Sequence, residues 1–261
     1  MADTILICRD RARSQEMEDA FCRRGFTCTF FSTFKFRELP DASTVQNAFG
    51  SLETSDVLIF SSVFGVRFFK AKLTRMKPNP AIKLPRIVTV GKKTAGIVRQ
   101  KFPEAKEVLP FDNLQKALEQ IAREDTGLRH RVIHFTSEQS LRNVRPEIPE
   151  NIELRRVPIY ETVPDYSHSD AEIQQIRRSR FDVIFFGSPS AFHYFLRLAG
   201  EKPLQSARLL AAMGETTAVR IAAAGFPRPV TPPRPNAELL ADAVKQRLSG
   251  NGASQNSTER N

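Results

Sequence analysis

Short, near-continuous apolar runs alternate with amphipathic stretches along almost the whole chain, and this alternation constrains the fold more than any other feature. Thr4–Cys8, Thr27–Phe31, Asp56–Phe60, Ile87–Val90, Arg131–Phe135, Ile152–Val157, Asp182–Phe186 and Arg208–Ala212 read as strands. Helical patterns cover about Arg13–Arg24, Lys92–Lys101, Asn113–Arg123, Pro189–Leu198, Glu215–Ala224 and Asn236–Leu248. Gly25 is placed to end the first helix, because glycine takes the left-handed conformation that closes a helix C-terminus. Strand–helix alternation specifies parallel strands, since a crossover helix must bring the chain back before the next strand. Strands that are apolar on both faces fit sheets covered on both sides. With 261 residues, two domains suit the chain better than one, at ~150 residues per domain. Phe226–Pro235 reads as an ordered loop, Pro78–Pro85 as an exposed loop, and the nearly apolar-free Ser249–Asn261 as a disordered tail.

The second constraint is self-similarity. Asp56-Val-Leu-Ile-Phe-Ser-Ser62 resembles Asp182-Val-Ile-Phe-Phe-Gly-Ser188 at an offset of 126. The same offset sets the strand around Ile7 against that around Ile133, and Phe34 against Tyr160. Val90-Gly91-x-x-Thr94-Ala95 then resembles Met213-Gly214-x-x-Thr217-Ala218 at an offset of 123, and Asn113 leads its helix as Asn236 does. Several matches in one order point to an internal repeat.

Each repeat sets a hydroxyl residue just after a buried strand and a Gly-x-x-Thr-Ala at the next strand-to-helix turn. Ligands gather at the carboxyl ends of strands in open α/β sheets. Helix N-termini there present N–H groups that favour anions. Ser62, Thr94, Ser188 and Thr217 therefore read either as plain helix caps or as donors lining a cleft between two such edges. Their paired recurrence favours the cleft.

Other classes find little support. Lys and Arg total 39 against 29 Asp and Glu, a net charge of +10. That excess suits an anionic partner. Basic clusters such as Arg129-His-Arg131, Arg155-Arg156 and Arg177-Arg178 would serve a nucleic-acid binder, but no recognised motif of that class is present. The 20 Phe residues fall largely in apolar strands and helices, so they read as core. Cys8, Cys22 and Cys28 are odd in number and lack C-x-x-C spacing, which argues against a disulfide framework or structural zinc. His130 and His134 share a strand face without acidic or thiol company. Gly-x-Gly-x-x-Gly, the P-loop and the Gly-x-Ser-x-Gly elbow are all missing. With no secretory signal and no apolar run of ~20 residues, the expectation is a cytoplasmic protein with no membrane partner.

At this point the chain resembles uroporphyrinogen-III synthase. The likeness rests on Asp56–Ser62 with its following helix, Val90-Gly91-x-x-Thr94-Ala95, Val157-Pro-Ile-Tyr160-Glu-Thr162, Phe181–Ala191, and Gly214-x-Thr216-Thr217-Ala218 through Gly225. It spans about residues 4–248. The resemblance implies two flavodoxin-like α/β domains with parallel sheets, joined by a two-stranded linker over Ser32–Leu39 and Arg156–Pro164. One domain is discontinuous, 1–34 with 164–250, and the other is continuous, 39–158. It implies a lyase that takes hydroxymethylbilane, expels its terminal hydroxyl, inverts ring D and closes the macrocycle, as a monomer without cofactor or metal. It makes Tyr160 the catalytic candidate, and Arg9, Ser62, Lys92, Thr94, Ser188 and Thr217 the substrate-binding set. Two positions depart from the family pattern: Phe64 stands where a polar residue is common, and Gly187 where Ser or Thr is. A non-catalytic binder of a tetrapyrrole or other polyanion on the same fold is the alternative.

Overall fold

A computed structural model describes residues 2–53, 56–76, 84–105, 108–124 and 129–255. The elements in chain order are β1 (Thr4–Ile7), α1 (Gln15–Cys22), β2 (Thr27–Phe30), β3 (Phe34–Glu38), α2 (Ser43–Gly50), β4 (Val57–Phe60), α3 (Val63–Met76), β5 (Arg86–Val90), α4 (Lys92–Lys101), β6 (Val108–Phe111) and α5 (Leu114–Glu124). They continue with β7 (His130–Ser137), α6 (Glu138–Asn143), β8 (Ile152–Pro164), α7 (Asp170–Arg178), β9 (Val183–Phe186), α8 (Pro189–Ala199), α9 (Lys202–Ser206), β10 (Leu209–Ala212), α10 (Glu215–Ala223) and α11 (Ala237–Gln255). None of the described helices is long and apolar enough to cross a membrane.

The chain divides into two compact units, Met1–Lys35 with Pro164–Asn261, and Phe36–Val163. The first holds a parallel sheet in the order β10-β9-β1-β2. Successive strand residues face opposite ways, so one apolar run feeds two cores. Ile5 and Ile7 join Met17 and Phe21 of α1 and Leu240 and Val244 of α11. Leu6 joins Ile184, Phe186, Phe192, Phe195 and Ile221 on the other face. α1 closes as expected: Gly25 has φ +80, and the Phe26 N–H returns to the Phe21 carbonyl.

The second unit holds six strands in the order β3-β8-β7-β4-β5-β6, parallel from β8 to β6. Its faces are equally divided. Leu58, Phe60, Ile133 and Phe135 pack against α3 and α4, while Val57, Ile59, Val88 and Val132 pack against α5.

The run β5-β4-β7-β8 has the order of β10-β9-β1-β2, with the matching strands in matching places. Val57 lies opposite Arg86, and Val183 opposite Leu209; Val57 and Val183 stand 126 residues apart in the chain, and Arg86 and Leu209 stand 123 apart. At the next pair the offset is 127. Val57 lies opposite Val132, whereas Val183 lies opposite Ile5. The alignment of Ile7 with Ile133 is thus one residue out. Ile133 and Ile7 face different layers, and a one-residue slip exchanges the faces of a strand. The recurring aspartates explain part of the pattern. Asp56 holds Arg131 of β7 at 2.6 Å, and Asp182 accepts the Thr4 N–H of β1 at 2.8 Å.

Several expectations change. β8 does not stop at Val157 but runs to Pro164, and Phe34–Glu38 is an edge strand of the sheet. The two segments read as a two-stranded linker carry strand: β3 covers Phe34–Glu38 of Ser32–Leu39, and β8 covers all of Arg156–Pro164. Val108–Phe111 is a further edge strand despite Pro110. α11 runs on to Gln255, so Ser249–Gln255 is helix where composition suggested disorder; residues 256–261 lie outside the described residues, as does most of Pro78–Pro85. Within Phe226–Pro235, Val230 bridges to Ala211 and extends the β10 edge.

Candidate functional site

The carboxyl edge of the second unit begins at Ser62. Its Oγ accepts the Gly65 N–H at 2.9 Å, satisfying a donor that the first turn of α3 leaves open. The same Oγ shares a 2.6 Å hydrogen bond with the Tyr160 hydroxyl. Tyr160 lies on β8 opposite Ser137, at the register shift that ends the β7 ladder. Only 5% of it is exposed. Its ring stacks on Phe68 at 5.3 Å and meets Phe36 edge-on at 6.0 Å. Burial pushes the phenol above its ordinary pKa, against the opposing pull of the Ser62 and Ser137 hydroxyls. Tyr160 is therefore neutral at physiological pH. Phe64, the departure from the family pattern, stacks on Phe36 at 3.8 Å and so extends the aromatic cluster around Tyr160.

On the neighbouring strand, Gly91 turns β5 into α4 with φ +83, a conformation open to glycine. Thr94 is buried in the first turn of α4, and Lys92 and Lys93 are exposed. Ser62, Tyr160, Lys92 and Thr94 thus share the carboxyl edge of one sheet.

The first unit presents a comparable edge. Ser188 caps α8, accepting the Ala191 N–H at 3.2 Å. The Ser62–Gly65 contact is a cap of the same kind, 126 residues earlier in the chain. Gly214 precedes α10 with φ −170, an extended backbone that any residue adopts. Thr217 is buried in the first turn of α10. Arg9 follows the interior strand β1 and is half-buried; burial and the neighbouring Arg13 lower its pKa, against Glu16 and Asp10. A half-desolvated guanidinium at a strand end suits a carboxylate partner.

Two buried polar groups stand outside the candidate set. His134 is 1% exposed; its Nε2 is 2.9 Å from the Ser61 Oγ. Burial, with the Arg156 charge second, drives its pKa down to about 3, so the ring is neutral. Lys72 of α3 is fully buried, donates to the Leu39 carbonyl at 2.7 Å and pairs with Glu38 and Asp41. It fastens the β3–α2 connection to α3. A cavity of about 350 Å³ is lined by Asp41, Gln46, Phe49, Gly50 and Met76, and includes none of the candidate site residues.

A family model described as HEM4, uroporphyrinogen-III synthase HemD, matches residues 15–242. The fold is similar to a solved uroporphyrinogen-III synthetase from Helicobacter pylori 26695, at 16% identity and a TM-score of 0.61, covering 95% of this chain and 99% of that one. It is also similar to a mutant uroporphyrinogen III synthase from the extremely thermophilic bacterium Thermus thermophilus, at 14% identity and a TM-score of 0.56, covering 97% of this chain and 100% of that one.

Proposed function

The chain belongs to the uroporphyrinogen-III synthase family, and from that premise we propose that it cyclises hydroxymethylbilane to uroporphyrinogen III. The observation that carries this reading is the buried Tyr160–Ser62 hydrogen bond at a carboxyl sheet edge. The terminal hydroxyl of the bilane must leave as water, and its departure gives the pyrrole chain a cationic azafulvene character. A neutral phenol at that position donates to the departing oxygen. The shared hydrogen bond with Ser62 holds it in one orientation. A phenol is a weak acid, so its contribution is assistance rather than full protonation before departure.

The remaining demand is geometric. Ring D must be held inverted while its substituted carbon closes the macrocycle. Binding energy from the peripheral carboxylates is available for that purpose. Arg9 and Lys92 offer cationic partners for those carboxylates. The first turns around Thr94, Ser188 and Thr217 add hydroxyl and N–H donors. The reaction is formally that of a cyclising hydro-lyase. The reading takes the protein as a cytoplasmic monomer acting on a free small molecule, with neither nucleic acid nor membrane as partner.

Incubation with freshly generated hydroxymethylbilane, followed by oxidation and separation of the uroporphyrin isomers, tests this. The expected product is type III above the spontaneous type I background. Type I alone from a folded protein would replace the proposal with a non-catalytic polyanion binder.

A further inference from the structure

Cys22 ends α1 and Cys28 lies on β2, and the turn between them brings their Sγ atoms to 3.7 Å. Neither is in a disulfide, and Cys8 is buried elsewhere in the core. Cys22 is exposed and Cys28 half-buried. We propose that Cys22 and Cys28 form a dithiol modification site that reacts with a small-molecule disulfide and closes to an intramolecular bridge.

The two thiols divide the work by exposure. The Cys22 thiolate attacks one sulfur of the reagent, RSSR. The S–S bond breaks, one RS⁻ leaves and takes a proton, and a mixed disulfide forms on Cys22. Cys28 then gives its proton to water and attacks the Cys22 sulfur, expelling the second RS⁻. The balance is two protein thiols and RSSR to one protein disulfide and two RSH.

The surroundings suit this order. Cys28 titrates near 12, raised by burial first, then by Cys22 and Glu18, while Arg11 pulls the other way. It is a poor first nucleophile, and the exposed Cys22 reacts before it. Capping Cys22 removes one of the influences that raise Cys28, and the short sulfur separation then favours closure over release. The bridge would staple the end of α1 to the edge strand β2. Cys28 lies opposite Ile5, near the amino end of β1, whereas Arg9 follows its carboxyl end. The modification is therefore expected to leave type III synthesis unchanged within twofold.

Oxidised glutathione is the probe, applied to the full chain and quenched by alkylation before trypsin digestion. The three cysteines fall on separate tryptic peptides, because Arg9, Arg13, Arg23, Arg24 and Lys35 separate them. The proposal expects peptides 14–23 and 25–35 joined by a disulfide. It also expects glutathione to accumulate on Cys22 in Cys28→Ser, and the thiols to survive in Cys22→Ser. It is overturned if wild-type protein keeps glutathione on Cys22 without closure. It is equally overturned if wild-type protein keeps both thiols free while Cys28→Ser is modified, or links through Cys22 to a second copy.

Discussion

The carboxyl edges of the two units carry the same cap and differ in what is built on it. Ser62 and Ser188 each accept an N–H three residues on, at 2.9 and 3.2 Å. At Ser62 the hydroxyl is also committed to Tyr160. In the first unit, Phe34 occupies the position that the sequence repeat aligns with Tyr160, and it packs on Tyr194 at 6.0 Å with no hydroxyl of its own. The recurring serines are therefore helix caps in both units, and in the second unit the cap is also paired with a phenol. The glycines make the same point. Gly91 and Gly214 occupy matching motif positions, yet only Gly91 has a positive φ.

The largest expected effect comes from Tyr160→Phe. It removes the phenol while keeping the ring against Phe68 and Phe36, so type III formation should slow about tenfold or more with little change in thermal midpoint. An unchanged rate would erase the distinction between the two edges.

Gly91→Ala and Gly214→Ala come next, measured by denaturant unfolding. No atom lies within 4 Å of the Cβ either would add, so backbone conformation decides the outcome. Gly91→Ala should cost about 1–3 kcal/mol and Gly214→Ala far less.

Acid sharpens the comparison through two buried groups. His134 belongs to the second unit, and burial lowers its pKa to about 3. The unfolded chain binds its proton more readily, so this source of stability is full above pH ~6.5 and falls as pH drops from there toward 3, by up to about 1.4 kcal/mol per pH unit. Asp165 belongs to the first unit. Burial alone would raise its carboxyl, but the Ser167 hydroxyl, Lys35 and the Ser167 N–H outweigh it and hold the pKa near 2. With Asp165 only 2% exposed, its contribution is up to about 2 kcal/mol, present above pH ~3.9 and lost toward pH 2. Unfolding of His134→Asn between pH 6.5 and 4 should show a flatter slope than wild type. Asp165→Asn should flatten only the region below pH 4.

The smallest pair is Ser62→Ala against Ser188→Ala. Each removes a cap worth about 1 kcal/mol. Ser62→Ala should lower activity more, because Tyr160 also loses its 2.6 Å contact there, whereas Ser188→Ala removes a cap and one of the donors offered to the substrate. Equal activity losses would count against the distinction.

Much of the fold was legible because the signals are local. The central strands are continuous apolar runs, and Lys92–Lys101 has the bounds its pattern gives. Edge elements were harder. Phe34–Glu38 alternates half-buried and exposed residues, and Pro110 demotes Val108–Phe111, although an edge strand tolerates proline. α7 was missed although Ser169-x-x-Glu172 spells its capping box, with both contacts present. The candidate site was legible only as separate residues. Ser62 and Tyr160 are 98 residues apart, and no local pattern encodes that they touch. The Cys22–Cys28 approach is likewise set by a turn and a strand register, and no C-x-x-C spacing announces it.

The most direct test of the account follows isomer composition as protein is titrated against a fixed supply of hydroxymethylbilane. The type III fraction is expected to rise with protein concentration until it displaces spontaneous type I. A type I product at every concentration, from protein that remains folded, would contradict it.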